Sequence, residues 1–305
     1  MKIFESPESK LAKAVEISKE DSKDFEQEIS KLTEATSFTI QEYTPNAFSE
    51  IVKDPNEMHT NEKVAQEFSK KFGLSLKAPP AHGTLFHALQ NVYCSEILDL
   101  IELATGKKYV YDAEKFIFKN FAYRGDELKF HIRSVDPLKG NKKGVDITLQ
   151  GLNQDKQLVM DVTKLQLRSR YERLGEIRIC EFLKKGVFFD YEIEINQDIV
   201  KKYNDCIESP NQYKFRNSLV ASVIPASLLQ LCQIKTEKME GLNRNMDISY
   251  YRQPKIGSIE TYFKNRTEPK SKDNKWAYNF EALCIQNNAA ILGAKFKVTT
   301  TSGLT

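Results

Sequence analysis

The chain has 305 residues and a hydrophobic content of 40%, which suits one large domain or two domains of about 150 residues with ordinary cores. Its 45 basic and 42 acidic residues leave a net charge of +3, too balanced for a protein whose affinity comes from nucleic-acid phosphates. Five widely spaced cysteines without a CxxC pair argue against a disulfide framework or zinc site and predict a reducing, cytoplasmic location.

The N-terminal stretch interrupts every apolar run with charge, and nowhere do about 18 apolar residues stand together. We therefore predict no membrane insertion. Residues 15–29 have the pattern of a short strand followed by a helix, and residues 193–207 repeat that pattern. The stretch 31–47 follows the first copy, and we interpret it as an insertion whose structure the sequence does not assign.

Residues 54–59, with the sequence DPNEMH, precede a helical pattern at 61–73. Pro55 keeps Asp54 out of the helical conformation, so Asp54 and His59 lie on irregular backbone where two side chains can converge. A carboxylate and an imidazole facing one pocket can hold a water and move protons at neutral pH. The alternative is a turn aspartate making its own Asx hydrogen bond, beside a surface histidine.

A loop with two prolines leads to His82-Gly83 and then to a strongly apolar helix predicted over 82–106, ending at Gly106. The apolar residues wrap more than half of this helix, so we expect it to be enclosed. Free N–H groups at its start suit an oxyanion, and Gly83 permits close approach of a ligand. Alternatively, Gly83 only relieves crowding against the sheet. We expect His87 to pack on this helix and His131 to be an ordinary strand residue.

The second part of the chain repeats the first. Residues 114–135 and 246–267 both read strand, glycine turn, strand, and each is followed by two alternating strands around a polar turn, at 145–167 and 276–298. A buried helix followed by four antiparallel strands, twice over, indicates an α+β fold in which a sheet curls around a helix.

The second apolar helix is predicted over 224–234, beginning at Ile224-Pro225-Ala226. A charged stretch at 168–176 without apolar periodicity separates the two copies. We therefore divide the chain into domains at 1–172 and 173–305.

Together these motifs resemble the MaoC-like dehydratases, which include the (R)-specific enoyl-CoA hydratases. The family's dyad motif has the form Asp-x-Asn-Pro-apolar-His, and this chain has DPNEMH at 54–59. The family places Ala-His-Gly at the start of its central helix, here residues 81–83, and a Gly-Asp turn in a later strand pair, here Gly125-Asp126. The likeness covers nearly the whole chain.

The resemblance implies a double hot-dog fold, a pseudo-dimer within one chain that can pair into a further homodimer. It implies a hydro-lyase of fatty-acid metabolism that acts on a 2-enoyl or (R)-3-hydroxyacyl thioester of CoA or acyl carrier protein, without cofactor or metal. Asp54 and His59 become the catalytic pair, the Gly83 amide becomes the oxyanion donor, and His82 and Asn56 contact the substrate. The alternatives are a hot-dog acyl thioesterase and a non-catalytic acyl-thioester binding protein.

The second copy has Ser209 where the first has Asp54 and Lys214 where it has His59. We therefore expect the second copy to be catalytically inactive. In two-domain relatives the degenerate half makes room for a long acyl chain, so the resemblance implies that residues 173–305 shape the acyl site here.

Overall fold

The computed structural model describes residues 5–138, 144–169, 179, 181–183, 189–211, 214, 216–236, 241–266, 270–272 and 275–300. Within these ranges the strands form one sheet of 11 strands. The strands are β1 (Phe38–Thr39), β2 (Val110–Phe118), β3 (Glu127–Pro137), β4 (Gly144–Asn153), β5 (Leu158–Arg168), β6 (Phe189–Ile195), β7 (Gly241–Tyr250), β8 (Gly257–Asn265), β9 (Lys270–Lys272), β10 (Lys275–Gln286) and β11 (Ala289–Thr300).

The order of the strands across the sheet is β1-β3-β4-β5-β2-β7-β11-β10-β8-β6, with β9 paired to β10. Read outward from the β2–β7 pair, the two sides have the same succession of strands. All pairs are antiparallel. The arrangement therefore confirms two copies of one module, joined by their innermost strands.

The strands follow from local patterns in the sequence. Successive residues of β4 alternate between half-buried and buried along its whole length, as expected for a strand with one face on a core. The hairpin between β10 and β11 turns at Asn287 and Asn288, whose φ angles are 51° and 57°. Two left-handed residues are what a type I′ hairpin requires, and asparagine tolerates that conformation.

The helices that the structure describes with both ends are α1 (Pro7–Ala14), α2 (Ser22–Ala35), α3 (Thr44–Val52), α4 (Glu62–Phe72), α5 (Gly83–Thr105), α6 (Gln197–Cys206) and α7 (Asn217–Thr236), and a 3-10 turn lies at Glu57–His59. Helix α5 is the predicted enclosed helix, and Gly106 ends it with a φ of 65°. Helices α5 and α7 pack on each other inside the curved sheet. No helix in the described ranges is long and apolar enough to span a membrane.

Two sequence predictions about the elements were wrong. The second central helix begins at Asn217 rather than Ile224, with Pro225 inside it. Apolar burial explains the longer helix, because Leu219, Val220 and Val223 are all buried, and their burial offsets the backbone hydrogen bond that proline removes.

Residues 15–21 contain no strand, and 31–47 are not an insertion. That stretch holds the end of α2, strand β1 and the start of α3. Strand β1 pairs with β3 as β6 pairs with β8, so β1 and α3 are the counterparts of β6 and α6. The added elements are α1 and α2, which pack against β3 and α5. The error arose because a two-residue strand carries too little pattern to detect.

The predicted boundary at 172/173 lies outside the described residues. Where the two halves meet, β2 pairs with β7 from Ala113 to Ile117. A buried polar group sits at this junction: Glu114 accepts hydrogen bonds from Tyr250 of the second half, at 2.5 Å, and from His87 of α5, at 2.8 Å. His87 is thus buried, and its Nε2 pairs with a carboxylate. Most of the buried apolar residues described in both halves form one continuous cluster, and two smaller clusters lie beside it.

Candidate active site

The loop between α3 and α4 carries the predicted dyad. Lys53 follows the last residue of α3 and caps the helix with a φ of 54°, and the Asp54 amide then donates to the Ser49 carbonyl at 2.9 Å. Asp54 Oδ1 accepts a hydrogen bond from the Asn56 amide at 2.9 Å, which is the Asx turn typical of aspartate before such a loop. The turn leaves Oδ2 of Asp54 directed toward α5.

His82, the residue before α5, links this carboxylate to α3. Its Nδ1 lies 3.1 Å from Asp54 Oδ2, and its Nε2 lies 2.7 Å from Ser49 Oγ. An ionised carboxylate only accepts hydrogen bonds, so Nδ1 of His82 is the donor to Asp54. In the neutral imidazole, Nε2 then accepts from the Ser49 hydroxyl. His82 is buried, and this Ser49–His82–Asp54 chain holds the carboxylate in one orientation.

His59 faces the same point from the other side of the loop. Its Nδ1 lies 2.8 Å from the Pro80 carbonyl oxygen. Because a carbonyl only accepts, Nδ1 carries the proton, and Nε2 of a neutral His59 keeps its lone pair. The His59 and His82 rings are stacked with their centroids 3.8 Å apart. The Pro80 contact therefore selects the tautomer of His59, and the stacking orients its ring.

The protonation states of the pair follow from burial and from neighbouring charge. Burial and the neighbouring His82 together lower the pKa of His59 to about 3, against the opposing effects of Asp54 and the Pro80 carbonyl. Burial by itself raises the pKa of Asp54, but the hydrogen bond from His82 and the electrostatic attraction of the His82 and His59 rings outweigh it and lower that pKa. At neutral pH the site therefore combines an ionised carboxylate with a neutral imidazole.

One ligand atom from each of Asp54, His59 and His82 lies within 4.8 Å of the other two. Such a set resembles the two-histidine, one-carboxylate groups that hold a metal ion. Most of the atoms that could bind a metal ion already have partners in the protein, because both nitrogens of His82 contact side chains and Nδ1 of His59 binds the Pro80 carbonyl. The three side chains are therefore better suited to a water molecule than to a metal ion, since one water can bridge hydrogen-bonding atoms up to 4.8 Å apart.

Gly83 begins α5 directly after His82, so its N–H belongs to the first helical turn, whose amides have no partner within the helix. A Cβ at Gly83 would lie 2.7 Å from the Phe118 ring. A side chain at this position would therefore force the Phe118 ring to shift, in line with the second of the two sequence interpretations. Its role as an oxyanion donor stays a prediction.

The other predicted contact residue, Asn56, has a structural use. Its Oδ1 caps the 3-10 turn by accepting from the Met58 amide at 3.3 Å, and its contact with substrate stays a prediction. The structure thus brings Asp54, His59 and His82 together. It adds Ser49 and the Pro80 carbonyl, which sequence reasoning missed because neither belongs to a recognisable motif.

No protein-family model and no curated protein matches the chain. Solved structures do match its fold. A protein described as a MaoC domain dehydratase from Chloroflexus aurantiacus superposes with a TM-score of 0.62 at 10% identity, over 88% of this chain and 94% of that one. A Mycobacterium tuberculosis protein described as having a double hot-dog fold gives 0.58 at 9%, over 87% and 94%. A structure described as a MaoC-like dehydratase gives 0.57 at 10%, over 87% and 95%.

These likenesses confirm the predicted fold class. The chain has the double hot-dog fold, an α+β architecture that it shares with structures described as MaoC-like dehydratases.

Proposed function

We propose that this protein is a hydro-lyase that reversibly adds water to a 2-enoyl thioester to give the (R)-3-hydroxyacyl thioester, carried on CoA or acyl carrier protein. The observation that carries the proposal is that a neutral His59, held at Nδ1 by the Pro80 carbonyl, faces an ionised Asp54. One ligand atom of each residue lies within 4.8 Å of the other, a separation that one water can bridge. The shared double hot-dog fold of structures described as dehydratases supports it.

In the hydration direction, the water donates one hydrogen to His59 Nε2 and the other to Asp54. As the water oxygen bonds to C3 of the enoyl group, His59 takes its proton, and the carboxylate stabilises the imidazolium that forms. The low pKa of His59 makes this imidazolium a strong acid. It therefore returns the proton readily to C2 on the same face, so the hydroxyl group at C3 and the hydrogen at C2 add syn and the base is regenerated.

Negative charge develops on the thioester carbonyl oxygen during this addition. In the proposal that oxygen accepts a hydrogen bond from the Gly83 amide at the start of α5, where unpaired N–H groups and the helix dipole both stabilise an anion. In this assignment residues 1–172 form the catalytic half, and residues 173–305 shape the space for the acyl chain.

The test is a hydration assay with trans-2-enoyl-CoA substrates of several chain lengths, following the loss of enoyl-thioester absorbance. Asp54→Asn and His59→Asn each lower turnover by about two to four orders of magnitude, as expected for loss of an acid–base group. His131→Asn is the matched control, because His131 is exposed on β3. Its turnover stays at the parent value.

Circular dichroism and urea denaturation show whether each variant is folded. Near-parent rates in folded Asp54→Asn and His59→Asn would remove the assignment. Release of free thiol from saturated acyl-CoA, without hydration of the enoyl substrates, would replace the hydro-lyase with a thioesterase.

A further inference from the structure

The second half retains the backbone frame of the candidate active site but carries different side chains on it. The Ser209 amide donates to the Asn204 carbonyl at 2.8 Å, as the Asp54 amide donates to that of Ser49 at 2.9 Å. In both halves the residue before this amide is left-handed, with a φ of 51° in the second half and 54° in the first. The loop after α6 is thus built like the loop after α3.

Arg216 takes the place of His82 in this second frame, because each residue directly precedes the central helix of its half. Nη2 of Arg216 donates to Ser209 Oγ at 2.6 Å, where His82 contacts the Asp54 carboxylate at 3.1 Å. The imidazole–carboxylate contact between His82 and Asp54 has therefore been replaced by a contact between a guanidinium and a hydroxyl. Such a group cannot take up protons, but it can hold an anion.

The guanidinium of Arg216 is buried, with a residue exposure of 6%. Its other hydrogen bonds go to Ser95 Oγ of α5 at 3.0 Å and to Asn204 Oδ1 at 3.3 Å. Within the described part of the chain, its hydrogen-bond partners are thus all neutral. The carboxylates of Glu96 and Asp99 compensate this charge in part, but burial still lowers the pKa of Arg216. A buried charge without a hydrogen-bonded counter-ion is costly. An anion bound there would offset that cost.

Beside Arg216 lies a cavity of about 190 Å³ between the second half of α5 and the start of α7. Leu98, Tyr109 and Tyr111 provide ring and aliphatic surface, and Asn217 adds an amide. The other charged side chains of its wall occur in opposite pairs, Lys214 with Asp99 at 3.9 Å and Lys108 with Glu102 at 3.5 Å. Both pairs are exposed, and the two charges within each pair largely cancel. Arg216 is then the buried positive charge of this wall.

We infer that this cavity binds the carboxylate or phosphate group of a small ligand on Arg216, with an apolar part of the ligand against Leu98 and Tyr109. Guanidinium groups bind both kinds of oxyanion through paired N–H donors. Ser95, which contacts Arg216, lies about 18 Å along α5 from Gly83 at the helical rise per residue. The site is therefore separate from the candidate active site, and it does not depend on the proposed reaction.

Isothermal titration calorimetry of the full chain tests this inference with three probes: hexanoate, inorganic phosphate and the uncharged hexanamide. We expect saturable binding of hexanoate or phosphate at one site per chain and none of hexanamide. The anion that binds more tightly identifies the ligand class. Equal binding of hexanamide and hexanoate would overturn the inference, as would a lack of binding by both anions.

The variants locate the site. Arg216→Gln keeps a side chain able to donate hydrogen bonds but removes the charge, and it should weaken anion binding at least about tenfold. Arg216→Lys keeps the charge and should retain more of the binding. The control Lys129→Gln removes an exposed positive charge on β3 and should bind like the parent. Parent-like affinity in Arg216→Gln would show that the anion binds elsewhere.

A separate variant covers the case in which Arg216→Gln does not fold. Leu98 is half-buried and lines the cavity, so Leu98→Trp fills it while Arg216 and its hydrogen bonds stay in place. Folded Leu98→Trp should lose anion binding, and undiminished binding would overturn the inference.

Discussion

The protonation state of His59 has a measurable consequence for folding stability. Its pKa is about 3 in the folded protein against an ordinary value of 6.5, so the unfolded chain binds the proton more readily. The stability that this difference provides is fully present above about pH 6.5 and is lost progressively as the pH falls toward 3. Within that window, each unit of fall in pH lowers the free energy of unfolding by about 1.4 kcal/mol. The low pKa of His59 therefore lowers the free energy of unfolding by about 2–3 kcal/mol when the pH falls from 6.5 to 4.5.

Urea denaturation of the parent and of His59→Asn at about pH 7 and about pH 4.5 measures this contribution. Other carboxylates and histidines also change the stability of both proteins, but their effect cancels in the comparison. We expect the parent to lose about 2 kcal/mol more than His59→Asn on acidification. The figure lies at the lower end of the range because His59 is only partly buried, and solvent reduces its desolvation.

His131→Asn is the control, because it also removes one histidine but from an exposed strand position. Its loss of stability on acidification should match that of the parent. An equal loss in the parent and in His59→Asn would show that His59 binds its proton with an ordinary pKa. The neutral base in the proposed mechanism would then be untenable at mildly acidic pH.

Three further outcomes are expected. Tyr250→Phe removes the 2.5 Å bond to buried Glu114 and should cost about 1.5–3 kcal/mol of unfolding free energy, measured in urea; an unchanged midpoint would contradict this. Gly83→Ala places a Cβ against the Phe118 ring and should lower the free energy of unfolding by about 1–3 kcal/mol. The loss should be smaller when Phe118 is also replaced by leucine, and equal losses with and without that replacement would exclude the clash. Dialysis against EDTA should leave hydration unchanged, because the proposed proton transfers need no metal; activity lost with EDTA and restored by a divalent ion would refute it.

The sequence predicted the repeated module and most of its elements, because these depend on local patterns. The apolar face and terminal glycine of α5 are visible at 82–106, and alternating residues mark the long strands. Where the pattern was short or ambiguous, prediction failed. Strand β1 has two residues, and Pro225 was taken for the start of a helix that begins at Asn217.

The sequence also placed Asp54 and His59 near each other and His82-Gly83 at the start of a helix, since spacing along the chain decides both. It did not show that His82 donates to Asp54 or that Pro80 selects the tautomer of His59. Those contacts join segments separated by more than twenty residues, and nothing local in either segment specifies them.

The sequence by itself determined the two modules, the two central helices and the loss of the dyad in the second copy. The tertiary structure alone decided which groups are desolvated and what each one faces. Arg216 illustrates the difference: in sequence it is one of 45 basic residues, but in the fold it is buried against Ser95 of the other half. Burial and pairing depend on neighbours distant in sequence, and these set the charge state and chemistry of a side chain.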